Sequence, residues 1–103
     1  MYKPRDAKEY AWRRITASAM LCKGACDFVY ADLHPSGADA EIEIFDGESV
    51  QGDLITGIFT SIRVNREFKP TAPIYCKRGL YINIIARTCC VFVQWRPRLA
   101  KEG

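Results

Sequence analysis

The residue types that could do chemistry in this sequence are its thiols and one imidazole. The single histidine is His34. The thiols are Cys22, Cys26, Cys76, Cys89 and Cys90. A thiol beside an imidazole can act as a nucleophile with its general base, and a set of four such side chains can hold zinc. His34 stands before Pro35 in a predicted turn, a position typical of an ordinary surface histidine.

The spacing of the cysteines does not favour a zinc site. Ligands of structural zinc usually come in pairs about two to four residues apart, which Cys22 and Cys26 satisfy. Cys89 and Cys90 are adjacent, so on a strand they would point to opposite faces. An odd number of thiols cannot all pair within one chain, and residues 1–6 lack the apolar stretch of a secretion signal. We therefore expect reduced, metal-free thiols that fill core space, in a protein assembled in the cytoplasm.

No other pattern in the sequence indicates catalysis. Glu41 and Glu43 would share one face of a strand and could form a carboxylate pair, but their alternation with isoleucine is typical of the solvated side of a strand. The sequence contains no phosphate-binding glycine loop, nucleophile elbow or histidine-rich metal pattern. We expect a protein that binds other macromolecules, is not an enzyme and needs no cofactor.

The net charge of +3 is concentrated at the N-terminus. Residues 1–14 hold five bases and two acids, whereas residues 15–103 hold ten of each. A neutral body does not provide the continuous basic surface that nucleic-acid binding normally requires. The apolar runs are only a few residues long, far short of the about 20 needed for a membrane-spanning helix. A membrane partner is therefore not expected, and nucleic acid is the less favoured partner.

Residues 1–14 are predicted to form a basic arm or a short helix capped by Asp6. Its residues Tyr10, Trp12, Arg13 and Arg14 are of the types enriched at interface hot spots, and we predict that they bind a partner. Three interpretations are open: Trp12 folds back onto its own body, the arm crosses to a neighbouring subunit or acidic surface, or its side chains contact nucleic acid. We expect the body to fold without this arm.

Residues 15–95 are predicted to form about seven antiparallel strands, followed by a polar tail over residues 96–103. The clearest alternation of apolar and polar residues runs from Ala40 to Phe45. Gly57 predicts a bulge within a strand over residues 54–64. Strands at about 8–12-residue spacing favour an all-β fold, a single small β-sandwich or barrel. The predicted core consists of Ile42, Ile44, Leu80, Ile82, Val91 and Val93.

From about Ile15 to Trp95, the order of features resembles small structural proteins of tailed bacteriophages. The shared features are a glycine turn before Phe28-Val29-Tyr30, an acidic-apolar strand closed by Asp46-Gly47, and a proline-rich approach to Gly79-Leu80-Tyr81. A terminal apolar strand, Val91 to Trp95, completes the outline.

The resemblance implies a virion protein, a capsid decoration or head–tail accessory subunit with a β-sandwich body. Its partners would be the major capsid or other virion proteins, and it would form a homo-oligomer such as a trimer or ring. The alternative from another class is a cytosolic nucleic-acid-binding small β-barrel that uses the basic arm.

Overall fold

The computed structural model describes residues 10–98, in which every regular element is a β-strand. In chain order the strands are β1 (Ala11–Ile15), β2 (Ala19–Lys23), β3 (Cys26–Pro35), β4 (Ala40–Asp46), β5 (Asp53–Thr60), β6 (Arg66–Phe68), β7 (Ile74–Cys76), β8 (Gly79–Ala86) and β9 (Thr88–Pro97). Since residues 10–98 contain no helix, no helical segment there could cross a bilayer.

The strands form two antiparallel sheets that pack as a sandwich. Sheet A has the order β1-β9-β3-β6, and β7 pairs with the same edge of β3 beside β6. Sheet B has the order β2-β8-β4-β5. The predicted all-β sandwich is confirmed, with nine strands over residues 10–98 where about seven were predicted. One extra strand arises because the apolar run from Ile15 to Cys22 divides between β1 and β2, which lie in different sheets.

The core lies between the two sheets and is built from the side chains that point inward. All six predicted core residues are fully buried, so the inward faces of β4, β8 and β9 are confirmed. The alternation in β4 is also confirmed, because Ile42 and Ile44 are buried while Glu41 and Glu43 are partly exposed. Period-two alternation fixes these faces because successive side chains of a strand point to opposite sides.

The bulge in β5 lies at a different residue from the one predicted. Ile44 pairs with Thr56 and Phe45 pairs with Leu54, so Ile55 is the extra residue. Gly57 lies in regular register opposite Glu43. The strand ends at Thr60, whose hydroxyl donates to the carbonyl of Ile62 at 2.7 Å and so turns the chain before residue 64.

The N-terminal segment differs from the predicted arm. Ala11–Ile15 pairs in register with β9 from Trp95 to Val91, and Ile15 is buried. The sheet therefore begins four residues before the predicted boundary, and residues 10–14 are not helical. A short helix is marginal in water, whereas the open edge of β9 offers hydrogen-bond partners to an extended segment. Residues 1–9 lie outside the described residues.

The C-terminal end of the sheet also lies beyond its predicted boundary at residue 95. Arg96 and Pro97, assigned to the polar tail, continue β9, and the amide of Arg98 donates to the carbonyl of Ala25 at 3.0 Å. The rest of the predicted tail, residues 99–103, lies outside the described residues.

We expect Ile82→Ala to lower the free energy of unfolding by about 2–5 kcal/mol, because it leaves a cavity between the sheets. Ile85→Ala is the matched control, since this isoleucine of the same strand is 45% exposed. It should cost less than about 0.5 kcal/mol. Urea unfolding of both variants measures the difference. A loss below about 0.5 kcal/mol for Ile82→Ala would contradict the assignment of the inward face.

A chain that lacks residues 1–14 should be less stable than one that lacks residues 1–9. The longer deletion removes all of β1 except Ile15 and leaves the edge of β9 unpaired. We expect the two chains to differ by about 2 kcal/mol or more in their free energy of unfolding, measured in urea. Equal stability would mean that residues 10–14 contribute nothing to the sheet, as the detached-arm prediction requires.

Candidate binding face on sheet A

The outward side of sheet A carries a group of aromatic side chains. We call this surface the aromatic face, and its members are Tyr10, Trp12, Tyr30, Tyr75 and Phe92. Phe92 lies between Val91 and Val93, which point into the core, so its ring points outward. Strands β1, β3, β7 and β9 thus present aromatic rings on the side of sheet A opposite the core.

A bulge in β3 determines which of its aromatic residues reaches this face. Phe28 pairs with Trp95 and Tyr30 pairs with Gln94, so Val29 is an extra residue in β3. In regular alternation, Phe28 and Tyr30 would share a face. The extra residue reverses the phase, and Phe28 is fully buried in the core while Tyr30 lies outward beside Phe92.

Three rings form the centre of the aromatic face. Trp12 stacks on Phe92 with 5.8 Å between ring centroids, and Tyr30 meets Phe92 edge-on at 6.0 Å. Trp12 is 62% exposed although it contacts Phe92. Burial and a hydrogen bond to Glu67 raise the pKa of Tyr30 to about 12, so its hydroxyl remains protonated at neutral pH. The centre is an ordered apolar cluster open to solvent.

Asp27, Arg96 and Arg98 form an ion network at the edge of the aromatic face beside Tyr10 and Tyr75. We call this edge the margin of the aromatic face. The Asp27 side chain is 4% exposed and accepts hydrogen bonds from both Arg96 and Arg98, the shortest at 2.8 and 3.0 Å. The guanidinium of Arg96 also lies 5.6 Å from the ring centre of Tyr10, and that of Arg98 lies 4.5 Å from Tyr75. These cation–π contacts join the carboxylate network to the two outer rings.

Burial and the arginines act on the pKa of Asp27 in opposite directions. Burial raises the pKa, but the hydrogen bonds from Arg96 and Arg98 more than offset it and hold the pKa below the ordinary carboxyl value. The carboxylate is therefore ionised at neutral pH and keeps both guanidinium groups in place.

The outward side of sheet A is balanced in charge over the described residues. Its side chains include three arginines and three carboxylates, Arg14, Arg96, Arg98, Asp27, Asp32 and Glu67. Two of the arginines are bound to Asp27, and Arg14 donates from Nε to the sulfur of Cys90 at 3.4 Å. This surface does not have the excess of bases that nucleic-acid binding normally requires.

An acid, an imidazole and a thiol also follow one another on this side of the sheet. His34 lies near the end of β3, not in the predicted turn, and its Nε2 is 2.9 Å from Oδ2 of Asp32. Its cross-strand neighbour is Cys90. The sequence Asp32, His34 and Cys90 across the sheet resembles an acid–base–nucleophile set. However, Cys90 is only 3% exposed, and its sulfur accepts a hydrogen bond from Arg14. A substrate could not reach the sulfur in this arrangement.

Neither the metal-ligating groups nor the open cavity points to catalysis. In the part of the chain that the structure describes, no three His, Cys, Asp or Glu side chains are grouped to hold a metal ion. A cavity of about 280 Å³ lies at the loop between β4 and β5, bordered by Gly47, Ser49 and Arg78 among others. Arg78 pairs there with Asp53 at 2.7 Å, and the lining includes no thiol or imidazole.

The structure brings three of the four predicted binding residues to the aromatic face or its margin. Trp12 and Arg14 point outward from β1, and Tyr10 contacts Arg96. Arg13 alternates to the other side of β1, where it pairs with Val93 and remains exposed at the sheet edge.

Sequence reasoning missed Tyr30, Tyr75 and Phe92. The available signal was the position of Phe92, an aromatic ring at an outward position between two inward valines. Tyr30 gave no such signal, because its orientation depends on the bulge at Val29.

Comparisons with known proteins give no relative for this chain. No family model, no curated protein and no solved structure matches it.

We expect Asp27→Asn to lower the free energy of unfolding by about 1–3 kcal/mol at neutral pH, because two arginines lose a charged partner and water screens the more exposed one. The depressed pKa of Asp27 means that this contribution is present above the ordinary carboxyl pKa and is lost as the pH falls through the lower folded value. The difference between variant and parent should therefore shrink below about pH 4.

Asp53→Asn is the matched control for Asp27→Asn. Asp53 also pairs with an arginine but is 74% exposed, so its replacement should cost less than about 1 kcal/mol. Urea unfolding from neutral to acidic pH measures both variants. A loss for Asp27→Asn that is the same at neutral and acidic pH would contradict the assigned role of the carboxylate.

Proposed function

We propose that this protein is a binding subunit and not an enzyme, and that it assembles with other protein subunits through the aromatic face of sheet A. The observation that carries the proposal is the Trp12–Phe92–Tyr30 cluster, which is ordered by ring contacts and yet leaves Trp12 62% exposed. Aromatic residues with arginine nearby are the side chains that most often dominate interface energetics.

The support of the aromatic cluster is rigid, which favours binding. Trp12 and Phe92 lie on paired strands, and Tyr30 lies on the next strand of the same sheet. Such side chains lose little conformational freedom when a partner covers them, so more of the contact energy appears as affinity. A partner that covers Trp12 would also shield the neighbouring Arg14 from solvent.

The charge balance favours protein over nucleic acid as the partner. Three arginines and three carboxylates on one surface give no net attraction to a phosphate backbone. The same balance suits contact with a second copy of this chain, because each sign can meet its opposite in a self-complementary interface. The aromatic rings could also stack on bases, and this feature favours the nucleic-acid alternative.

The narrower proposal is that the oligomer belongs to a virion, as a capsid decoration or head–tail accessory subunit. The order of sequence features between residues 15 and 95 supports this reading. Repeated copies on a symmetric lattice raise the effective concentration, so a surface with few anchoring residues is sufficient. The partners would then be the major capsid protein or other virion proteins, with a trimer or another ring as the unit.

We expect the purified full chain to form a homo-oligomer at micromolar concentration, detected by sedimentation velocity. Trp12→Ala should weaken the association about 30-fold or more, equivalent to about 2 kcal/mol. Phe59→Ala is the matched control, because Phe59 is similarly exposed but lies on sheet B. It should change the association less than about twofold.

A second titration separates the two classes of partner. The probe is a fluorescent single-stranded oligothymidylate, added to the chain at low and at physiological salt. A chain that stays monomeric and binds the oligonucleotide, with affinity falling steeply as salt rises, would contradict the proposal and support the alternative. Equal association by the Trp12→Ala and parent chains would also contradict it.

A further inference from the structure

Three of the cysteines lie together at one end of the core. Cys26 and Cys76 are direct cross-strand partners in the β3–β7 pair, and both are fully buried. The Cys76 thiol donates to the carbonyl of Ile74 at 3.7 Å, and each of the two thiols shifts the pKa of the other. Cys22, near the end of β2, is partly buried and is close enough to Cys26 to influence its pKa. No local pattern in the sequence predicts that residues 26 and 76 are paired.

We propose that Cys26 and Cys76 are a redox-active pair that forms a reversible disulfide when the protein meets an oxidant, joining β7 covalently to β3. The five cysteines are free thiols in the structure, so this is the reduced state. The inference goes beyond the proposed binding function and does not depend on it.

The register of β3 and β7 favours this pair. Opposed residues of antiparallel strands have Cβ atoms about 4.5–5.5 Å apart, and a disulfide needs about 3.5–4.5 Å, so only a small shift is required. Cys22 is the competing partner for Cys26, but it belongs to sheet B and its thiol donates to the carbonyl of Gly24 at 3.8 Å. Burial also raises the pKa of Cys22, which makes it a poorer nucleophile.

The two sulfurs of the pair differ in their surroundings and in their place in the sheet. The neighbouring Cys26 thiol lowers the pKa of Cys76, whereas the Cys76 thiol and burial raise the pKa of Cys26. Cys76 lies on the short edge strand β7 and Cys26 on the central strand β3, so Cys76 is the sulfur that meets the oxidant first and Cys26 resolves the product. Oxidation should therefore become faster as pH rises and more of Cys76 is ionised.

With hydrogen peroxide as oxidant the steps balance. The Cys76 thiolate attacks one peroxide oxygen, an S–O bond forms, the O–O bond breaks, and the hydroxide released takes the proton that Cys76 had lost. Cys26 then gives up its proton and attacks the sulfenic sulfur, so that the S–S bond forms and the S–O bond breaks. The second hydroxide takes the Cys26 proton. Two thiols and one peroxide give one disulfide and two waters.

The position of β7 provides access to the buried thiols. It is a three-residue edge strand that follows Pro73, and such short edge segments open locally at low cost. Beyond it, the carboxylate of Asp46 accepts hydrogen bonds from the amides of Lys77 and Arg78 at 3.3 and 2.9 Å. These bonds keep the segment near β3 when it opens, so that Cys76 returns to the same partner.

The test uses the full chain carrying Cys89→Ser, which removes the exposed thiol that could link two molecules. The chain is treated with hydrogen peroxide, blocked with N-ethylmaleimide and digested with trypsin, which cuts after Lys and Arg except before proline. The digestion separates the remaining thiols into residues 15–23 with Cys22, 24–63 with Cys26, 67–77 with Cys76 and 88–98 with Cys90.

We expect mass spectrometry to find peptides 24–63 and 67–77 joined, in a chain that has lost two hydrogen atoms. Glutathione should separate them again. The oxidised chain should melt at least about 5 °C higher, because the bond closes a long loop of the unfolded chain. A Cys22→Ser variant should give the same cross-link. A disulfide that involves Cys22 or Cys90 would overturn the proposal. So would free thiols at positions 26 and 76 after a treatment that oxidises Cys89 in the parent chain.

Discussion

The antiparallel pairing of β3 with β9 is the interaction on which the rest of sheet A depends. Both are ten-residue strands in the middle of the sheet, and β1, β6 and β7 each pair with one of them. Their inward residues supply a large part of the core, including Leu33 opposite Val91 and Ala31 opposite Val93. Because the backbone hydrogen bonds fix the register, burying these side chains also fixes which side chains point outward.

The pairing of β3 with β9 also positions the aromatic face, because this face is the side of sheet A opposite the core. Phe92 lies between the buried residues Val91 and Val93, and Trp12 and Tyr30 contact its ring, so packing within the chain sets the positions of these rings. Trp12 is 62% exposed on this side of the sheet, and the proposed binding function gives this ring the role of an anchor. The Asp27 network adds order at the margin, because the carboxylate binds the guanidinium groups of both Arg96 and Arg98.

The start of β3 connects the aromatic face to the proposed redox pair. Asp27 points outward to the arginines, while its neighbour Cys26 points inward to Cys76. Tyr75 precedes Cys76 and lies under the guanidinium of Arg98. A bond between the two sulfurs would therefore restrain the margin of the aromatic face as well as β7. The two proposals remain separable, because the Trp12–Phe92–Tyr30 centre lies on other parts of the sheet.

The sequence by itself determined the all-β class and the inward faces of β4, β8 and β9, because period-two alternation is a local property of the chain. It also singled out Trp12 and Arg14 by residue type. Only the tertiary structure decided that residues 11–15 join β9 and that Val29 is a bulge which turns Tyr30 outward. Strand partners and register arise from contacts between residues far apart in the chain, and such contacts leave no local pattern to read.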